Sequence, residues 1–247
     1  MNLESAVVLI TGAKRIGAEI AAGVAARGAD VALVYRQSKT EADAAVARIE
    51  TAGRRALAVQ ADVADPASAA VVVAAVEQTF GRLDVLVNMA SLYQSVSFDE
   101  LNQAQWQHQL AIDLGGSFTF AKAAVPLMRR GGGGGRIINF TDWVVASGRP
   151  RYTGYLAYYV AKSGVKALTE ALALELAADQ ILVNAIAPGP IAAPPDIPDA
   201  ELAAVIKATP VGRWGGAAEI VKAVLALIES DFITGETIRV DGGRHLY

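Results

Sequence analysis

Seven short apolar runs, rich in β-branched residues, alternate with alanine-rich stretches of helical periodicity along the whole chain. The runs are Ala6–Ile10, Val31–Tyr35, Ala56–Gln60, Leu83–Val87, Arg136–Phe140, Leu182–Ala187 and Ile238–Val240. A strand covered on one face alternates polar and apolar residues. These runs do not, so they are expected to form a parallel sheet with helices on both faces. Ile16–Arg27, Thr40–Thr51, Pro66–Phe80 and Tyr158–Ala178 carry the helical period, and Gly28, Gly53 and Gly81 stand where helices should stop. Right-handed crossovers between such strands give an α/β Rossmann fold, a doubly wound seven-stranded parallel sheet. No linker interrupts residues 1–247, so one domain is expected. Ligands of such a sheet bind beyond the carboxyl ends of its strands.

Composition removes several chemistries. The chain has no cysteine and only two histidines, His108 and His245, which excludes disulfides, thiolate catalysis and a multi-histidine metal centre. A net charge of −3 gives no reason to expect a nucleic-acid partner. No apolar run is long enough for a membrane span, and the first strand begins too early to leave room for a signal peptide. A cytoplasmic protein acting on a small molecule is expected.

Candidate functional residues fall at the expected strand ends. Thr11-Gly12-Ala13-Lys14-Arg15-Ile16-Gly17 follows the first strand and opens the first helix. Gly12 permits a tight turn and Gly17 a close approach of backbone to phosphate. A pyrophosphate could then rest on the helix amino terminus, with Arg15 as a charged donor beside it. An ordinary strand-to-helix turn is the alternative. The second strand ends in Tyr35-Arg36-Gln37-Ser38, where an NAD site usually has an acid for the ribose 2′-hydroxyl. Arg36 and Ser38 suit a 2′-phosphate instead, which favours NADP(H); a solvated arginine is the alternative. Asp62-Val63 ends the third strand, where Asp62 could accept from an adenine amino group or cap the next helix. Asn88-Met89-Ala90-Ser91 ends the fourth. After the fifth strand come Asp142 and then Tyr158 and Lys162, spaced i, i+4 on one helix face. An ammonium beside a phenol favours the phenolate, so a lowered phenol pKa is expected of Tyr158.

Together these motifs resemble the short-chain dehydrogenase/reductase family over nearly the whole chain. The matching pieces are the glycine turn, Asn88-x-Ala90, Tyr158-x-x-x-Lys162, Val183-Asn184 with Pro188-Gly189, and Ile233-Thr234-Gly235 with Asp241-Gly242-Gly243. The resemblance implies that Tyr158 donates and accepts the proton, and that Lys162 holds the nicotinamide ribose and lowers the tyrosine pKa. It implies that Pro188, Gly189 and Ile191 line the nicotinamide amide. Three departures resemble the pteridine reductase branch. Asp142 replaces the usual serine, Lys14-Arg15 replaces the middle glycine, and the aromatic Tyr93 follows Ser91. Arg15, Ser91, Tyr93, Asp142 and Tyr158 are then the expected substrate contacts, with the pterin ring between Tyr93 and the nicotinamide. An ionised Asp142 would repel the alkoxide charge of a reduced ketone, which argues for a pterin. Reduction of a dihydropterin or dihydrofolate by NADPH is therefore the expected activity. The alternatives are an NADPH-dependent ketone reductase acting on acyl or steroid-like substrates, using Ser147 or Asp142 in altered geometry, and a non-catalytic cofactor-sensing or scaffolding protein. For Asp142 itself the alternative is a helix cap or turn aspartate, with Ser147 as the usual serine.

Several positions depart from the family pattern. Asp142 and Tyr158 lie sixteen positions apart, three more than usual, and counting back the usual distance reaches Val145. Three extra residues are expected in the loop Ala146–Arg151. The glycine turn is one residue shorter than the family's. Asp113 stands where the family has an asparagine that supports the proton relay. Gly131–Gly135 reads as a flexible loop, His108 as a surface or packing residue, and Pro188–Pro198 as a flap over the substrate or a static loop. Arg244 and His245 either reach a neighbouring subunit's site, since related proteins are homotetramers, or are solvated tail residues.

Overall fold

A computed structural model describes residues 1–193 and 197–246. In chain order the strands are β1 (Val7–Thr11), β2 (Asp30–Tyr35), β3 (Ala56–Gln60), β4 (Val85–Asn88), β5 (Gly135–Phe140), β6 (Ile181–Pro188) and β7 (Thr237–Val240). The helices are α1 (Ile16–Ala25), α2 (Lys39–Thr51), α3 (Pro66–Phe80), α4 (Gln103–Leu110), α5 (Gly116–Gly131), α6 (Trp143–Ala146), α7 (Leu156–Leu176), α8 (Asp199–Lys207) and α9 (Ala217–Glu229). All seven strands pair in parallel in the order β3-β2-β1-β4-β5-β6-β7, the expected doubly wound sheet.

The apolar strands split their side chains between two cores, as a period of two requires. From β1, Val8 and Ile10 pack with Ile20, Val24, Ile49, Ile220 and Val224 of α1, α2 and α9 on one face. Val7 and Leu9 pack with Val72, Val76, Phe120 and Met128 of α3 and α5 on the other. Leu9, Ile10, Ile20 and Phe120 are fully buried, and each contributes roughly 1.5–3 kcal/mol of apolar transfer free energy. At the end of the sheet away from the clefts, Asp84 accepts from Val7 N–H at 2.8 Å and pairs with Arg82. Burial alone would push Asp30 up. The Arg55 N–H and guanidinium bonds and nearby Arg54 instead hold its carboxyl below the usual value. These contacts pin the strand starts, which leaves the opposite ends to build the site.

Strand and helix bounds move by a residue or two from expectation, as fraying ends do. Five helices, α4, α5, α6, α8 and α9, lie outside the four predicted stretches. In α5, Gly116, Gly131 and an internal Pro126 mask the period, yet Phe120, Ala121, Ala124, Val125 and Met128 face inward at helical spacing. The helix α9 is preceded by Gly215 and Gly216 and is strongly amphipathic. The run Gly131–Gly135 is not wholly a loop: Gly131 ends α5, and Gly135 is a buried residue of β5. One continuous helical stretch, Gln103–Gly131, has the length and apolarity of a membrane span, but its apolar face packs in the core against α3 and the sheet.

Candidate functional site

Two clefts open side by side along the carboxyl ends of the strands. The first, about 390 Å³, is lined by Gly12, Lys14, Tyr35, Arg36, Gln37, Ser38, Asp62, Val63, Ala90 and Ser91. Its floor is the turn into α1. A Cβ on Gly17 would stand 1.8 Å from the Gly12 carbonyl oxygen, and Gly12 has a φ of 110°, so neither position accepts another residue without distortion. Arg15 holds a φ of 49° where the family has a glycine, and no side chain caps the helix start. The start of α1, at Arg15 and Ile16, opens beside Lys14, which lines both clefts, and a helix amino terminus there suits an anion. The Thr11 hydroxyl braces the turn by accepting from Met89 and Ala90 N–H at 3.0 and 3.3 Å. Arg36 Nη1 lies 3.7 Å from Asp62 Oδ2. Asp62 does not cap α3, because Asp65 does. Glycine cradle, uncapped helix and basic β2 end together fit the diphosphate and adenosine of a dinucleotide.

Asn88, expected at the cofactor, turns into the fold instead. It lines neither cleft: its Nδ2 donates to Asn139 Oδ1 at 3.0 Å and to the Ser117 carbonyl, so it ties β4 to β5 and α5.

The second cleft, about 550 Å³, is lined by Arg15, Ile16, Ser91, Tyr93, Asp142, Tyr158, Pro188, Gly189 and Ile191 among others. Asp142 ends the segment after β5, caps α6 by accepting from Val144 N–H at 2.9 Å, and accepts from the Tyr158 hydroxyl at 2.8 Å. The capping and site readings of Asp142 are thus both satisfied, one by each carboxylate oxygen. Ser147 donates to the Trp143 carbonyl at 2.6 Å and lies at the far end of α6. The extra residues loop out after α6 and leave Asp142 in contact with Tyr158. Lys162 sits beneath the cleft, 3% exposed. It donates to the Phe140 carbonyl at 2.8 Å and pairs with Asp113 at 2.8 Å. Asp113, on a π-helical turn at Ala111–Gly115, is fully buried and also accepts from Ser91, Gln109 and Leu92 N–H.

This network reverses the expected Tyr158 titration. Burial pushes the phenol well above its usual value, and the Asp142 and Asp113 carboxylates push it further. Lys162 Nζ is 5.8 Å from the phenol ring centroid and is engaged by Asp113, so its charge is largely spent there. Tyr158 is held as a proton donor. Burial also pushes Asp142 above its ordinary value, against the Val144 N–H, the Tyr158 hydroxyl and the Lys162 ammonium.

An aromatic wall, unforeseen apart from Tyr93 and Tyr158, lines one side of the cleft. Tyr93 stacks on Tyr155 at 4.7 Å and meets Tyr158 edge-on at 5.0 Å. Tyr152 bridges Tyr155 and Trp143. Four of the seven tyrosines fall between 152 and 159, a local enrichment that is the sequence signal for this wall. Arg244 lines this chain's own cleft, over Trp143. His108 is an exposed residue of α4. Of the expected flap, Pro188–Ala193 and 197–198 are described; residues 194–196 lie outside the described residues.

Comparison with known proteins agrees with this geometry. Residues 12–245 match the family profile described as enoyl-(acyl carrier protein) reductase. The chain is 38% identical to the short-chain reductase protein NovJ of Streptomyces niveus, over 98% of this chain and 94% of the relative. It is also 38% identical to the 3-oxoacyl-(acyl-carrier-protein) reductase FabG of Staphylococcus aureus, over 96% and 97%. A short-chain dehydrogenase/reductase from Serratia marcescens superposes with a TM-score of 0.91 at 32% identity, covering 99% of this chain and 100% of that one. By sequence over nearly its whole length and by its fold, the chain belongs to the short-chain dehydrogenase/reductase family and is a nicotinamide-dependent oxidoreductase.

Proposed function

We propose that the protein is an NADPH-dependent reductase of a carbonyl substrate, with Tyr158 as the proton donor. The observation that carries this reading is the Tyr158 hydroxyl on the cleft floor, donating to Asp142 at 2.8 Å and backed by Lys162, with burial raising the phenol above its usual value. When bound, the nicotinamide supplies the hydride; Pro188, Gly189 and Ile191 would hold it. As the carbonyl carbon is reduced, its oxygen gains electron density and takes the proton from Tyr158 Oη. The Asp142 carboxyl, in contact with that oxygen, can return a proton to Tyr158. Lys162 keeps a donor for a ribose hydroxyl after its bonds to Phe140 and Asp113. Arg36 and Ser38, with no acid among Tyr35–Ser38, support NADP(H) over NAD(H).

The carbonyl reading replaces the pterin expectation for two reasons. The named relatives include a 3-oxoacyl reductase and none of those cited names a pterin. The objection to a ketone also assumed a fully ionised Asp142, whereas burial pushes its carboxyl above the ordinary value and so weakens that objection. A dihydropterin remains the second reading, favoured by Tyr93, which is 61% exposed beside Asp142's partner Tyr158. NADPH oxidation with a 3-oxoacyl thioester and with dihydrobiopterin separates them. The carbonyl reading expects turnover of the thioester, and Asp142→Ser retaining it within about tenfold. Turnover of dihydrobiopterin alone, lost in Asp142→Ser, would install the second reading. Cofactor binding without turnover of any carbonyl or pterin would point to a scaffold. A cytoplasmic homotetramer is the setting we propose. Exposed Phe118 on α5 and Leu156, Val160 and Leu174 on α7 support an oligomer.

A further inference from the structure

Three residues beyond the family's usual spacing separate Asp142 from Tyr158, and the segment they create carries a guanidinium into the second cleft. Arg151 Cζ stands 5.0 Å from the Trp143 ring centroid. From the other end of the chain, Arg244 Cζ stands 5.7 Å from the same ring. Both are half-buried, both line the cleft, and neither pairs with an acid among the described residues. They are held in place. Arg151 Nη2 donates to the His245 carbonyl at 3.1 Å. Asp241 fixes the turn that bears Arg244 by accepting from Gly243 N–H and His245 N–H, both at 3.0 Å, and by contacting His245 Nδ1 at 2.7 Å.

Two like charges over one indole repel, and partial burial takes away the water that would screen them. An anion bound beside them in the cleft would relieve both costs. Asp142 is the one acid among the described residues lining this cleft, which also has Lys14 and Arg15. Lys14 pairs with Glu41 at 3.1 Å, and Arg15 stands at the α1 amino terminus where a cofactor phosphate would sit. Arg151 and Arg244 are therefore the cations left for substrate. Trp143 follows Asp142 directly, and the wall of Tyr155, Tyr152 and Trp143 runs between Tyr158 and the guanidiniums. Its rings favour a flat carrier, and guanidinium forks favour a planar oxyanion.

We infer that Arg151 and Arg244 form a carboxylate-binding subsite, so that the preferred substrate is a flat or aromatic carbonyl compound bearing a carboxylate. The inference rests on the carbonyl-reductase reading and specifies its substrate class. Benzoate and benzamide, nearly the same in shape and different in charge, are the probes. Each is titrated calorimetrically into the full chain saturated with NADP+. Benzoate should bind about tenfold more tightly. Arg244→Gln and Arg151→Gln should each remove most of that preference and leave benzamide unmoved, while Arg244→Lys keeps part of it. Unchanged NADP+ affinity and Tm confirm that each variant is folded. Equal binding of the two probes, or a preference that survives both glutamine substitutions, overturns the inference. If ketones are not reduced while benzoate is still preferred, the carbonyl reading alone fails. If ketones are reduced without that preference, the subsite alone fails.

Discussion

The two clefts meet at Ser91 and are built in opposite ways. The first takes its shape from short segments that each follow one strand: the Gly12–Gly17 turn after β1, Tyr35–Ser38 after β2 and Asp62–Val63 after β3. Its essentials are backbone features, an uncapped helix and a glycine cradle with no room for a Cβ. The second is assembled from side chains far apart in sequence. Tyr158 meets Asp142 across a looped-out insertion, Lys162 meets Asp113 across the core, and Arg244 meets Arg151 from the far terminus. A backbone cradle tolerates few substitutions and binds what the whole family binds. A convergent side-chain site can be changed one residue at a time, as Asp142, Asp113 and the longer loop between Asp142 and Tyr158 illustrate.

Three substitutions test that contrast, in falling order of effect. Tyr158→Phe removes the proton donor and should lower kcat by roughly 10²–10⁴, with NADPH affinity unchanged. Stopped-flow and equilibrium titration would read the two quantities, and near-normal turnover would mean that the second cleft does not do the chemistry. Arg36→Ala acts only on the first cleft. It should raise the KM for NADPH by about tenfold and leave that for NADH within about twofold. Equal changes for both cofactors would remove the 2′-phosphate role. Asp113→Asn is the subtlest. Reduction needs Tyr158 protonated, so the rate falls as pH rises through its titration. Asp113 is one of the carboxylates that raise the phenol. Neutralising it should therefore move the alkaline limb of the pH–rate profile to lower pH, with less than about tenfold change in kcat at neutral pH. A limb that stays put, or moves up, would show that the buried Asp113–Lys162 pair only supports the fold.

Much of the first cleft was legible in the sequence because its parts are local. The turn residues, Arg36 and Asp62 sit at strand ends that hydrophobic patterning locates. Asn88 shows the complementary case: its place at a strand end resembles a ligand position, but its Nδ2 is taken by Asn139 and Ser117 inside the fold. In the second cleft the reacting residues were legible as types, while their electrostatics were not. The i, i+4 spacing puts Lys162 on the face of Tyr158, yet whether the ammonium acts on the phenol depends on what else it touches. Burial and the Asp142 carboxylate raise the phenol, and Asp113, forty-nine positions before Lys162 in the chain, adds to the rise while pairing with the ammonium.

The sequence by itself determined the parallel sheet, the order of its motifs, the family and the Tyr158–Lys162 pair, since apolar period and short spacings act within one strand or one turn of helix. Only the tertiary structure decided that Asp142 keeps contact with Tyr158 despite the longer loop, that the phenol is held protonated, and that Arg244 shares an indole with Arg151. Burial, dielectric and the pairing of charges depend on which distant segments pack together, and no local spacing encodes that.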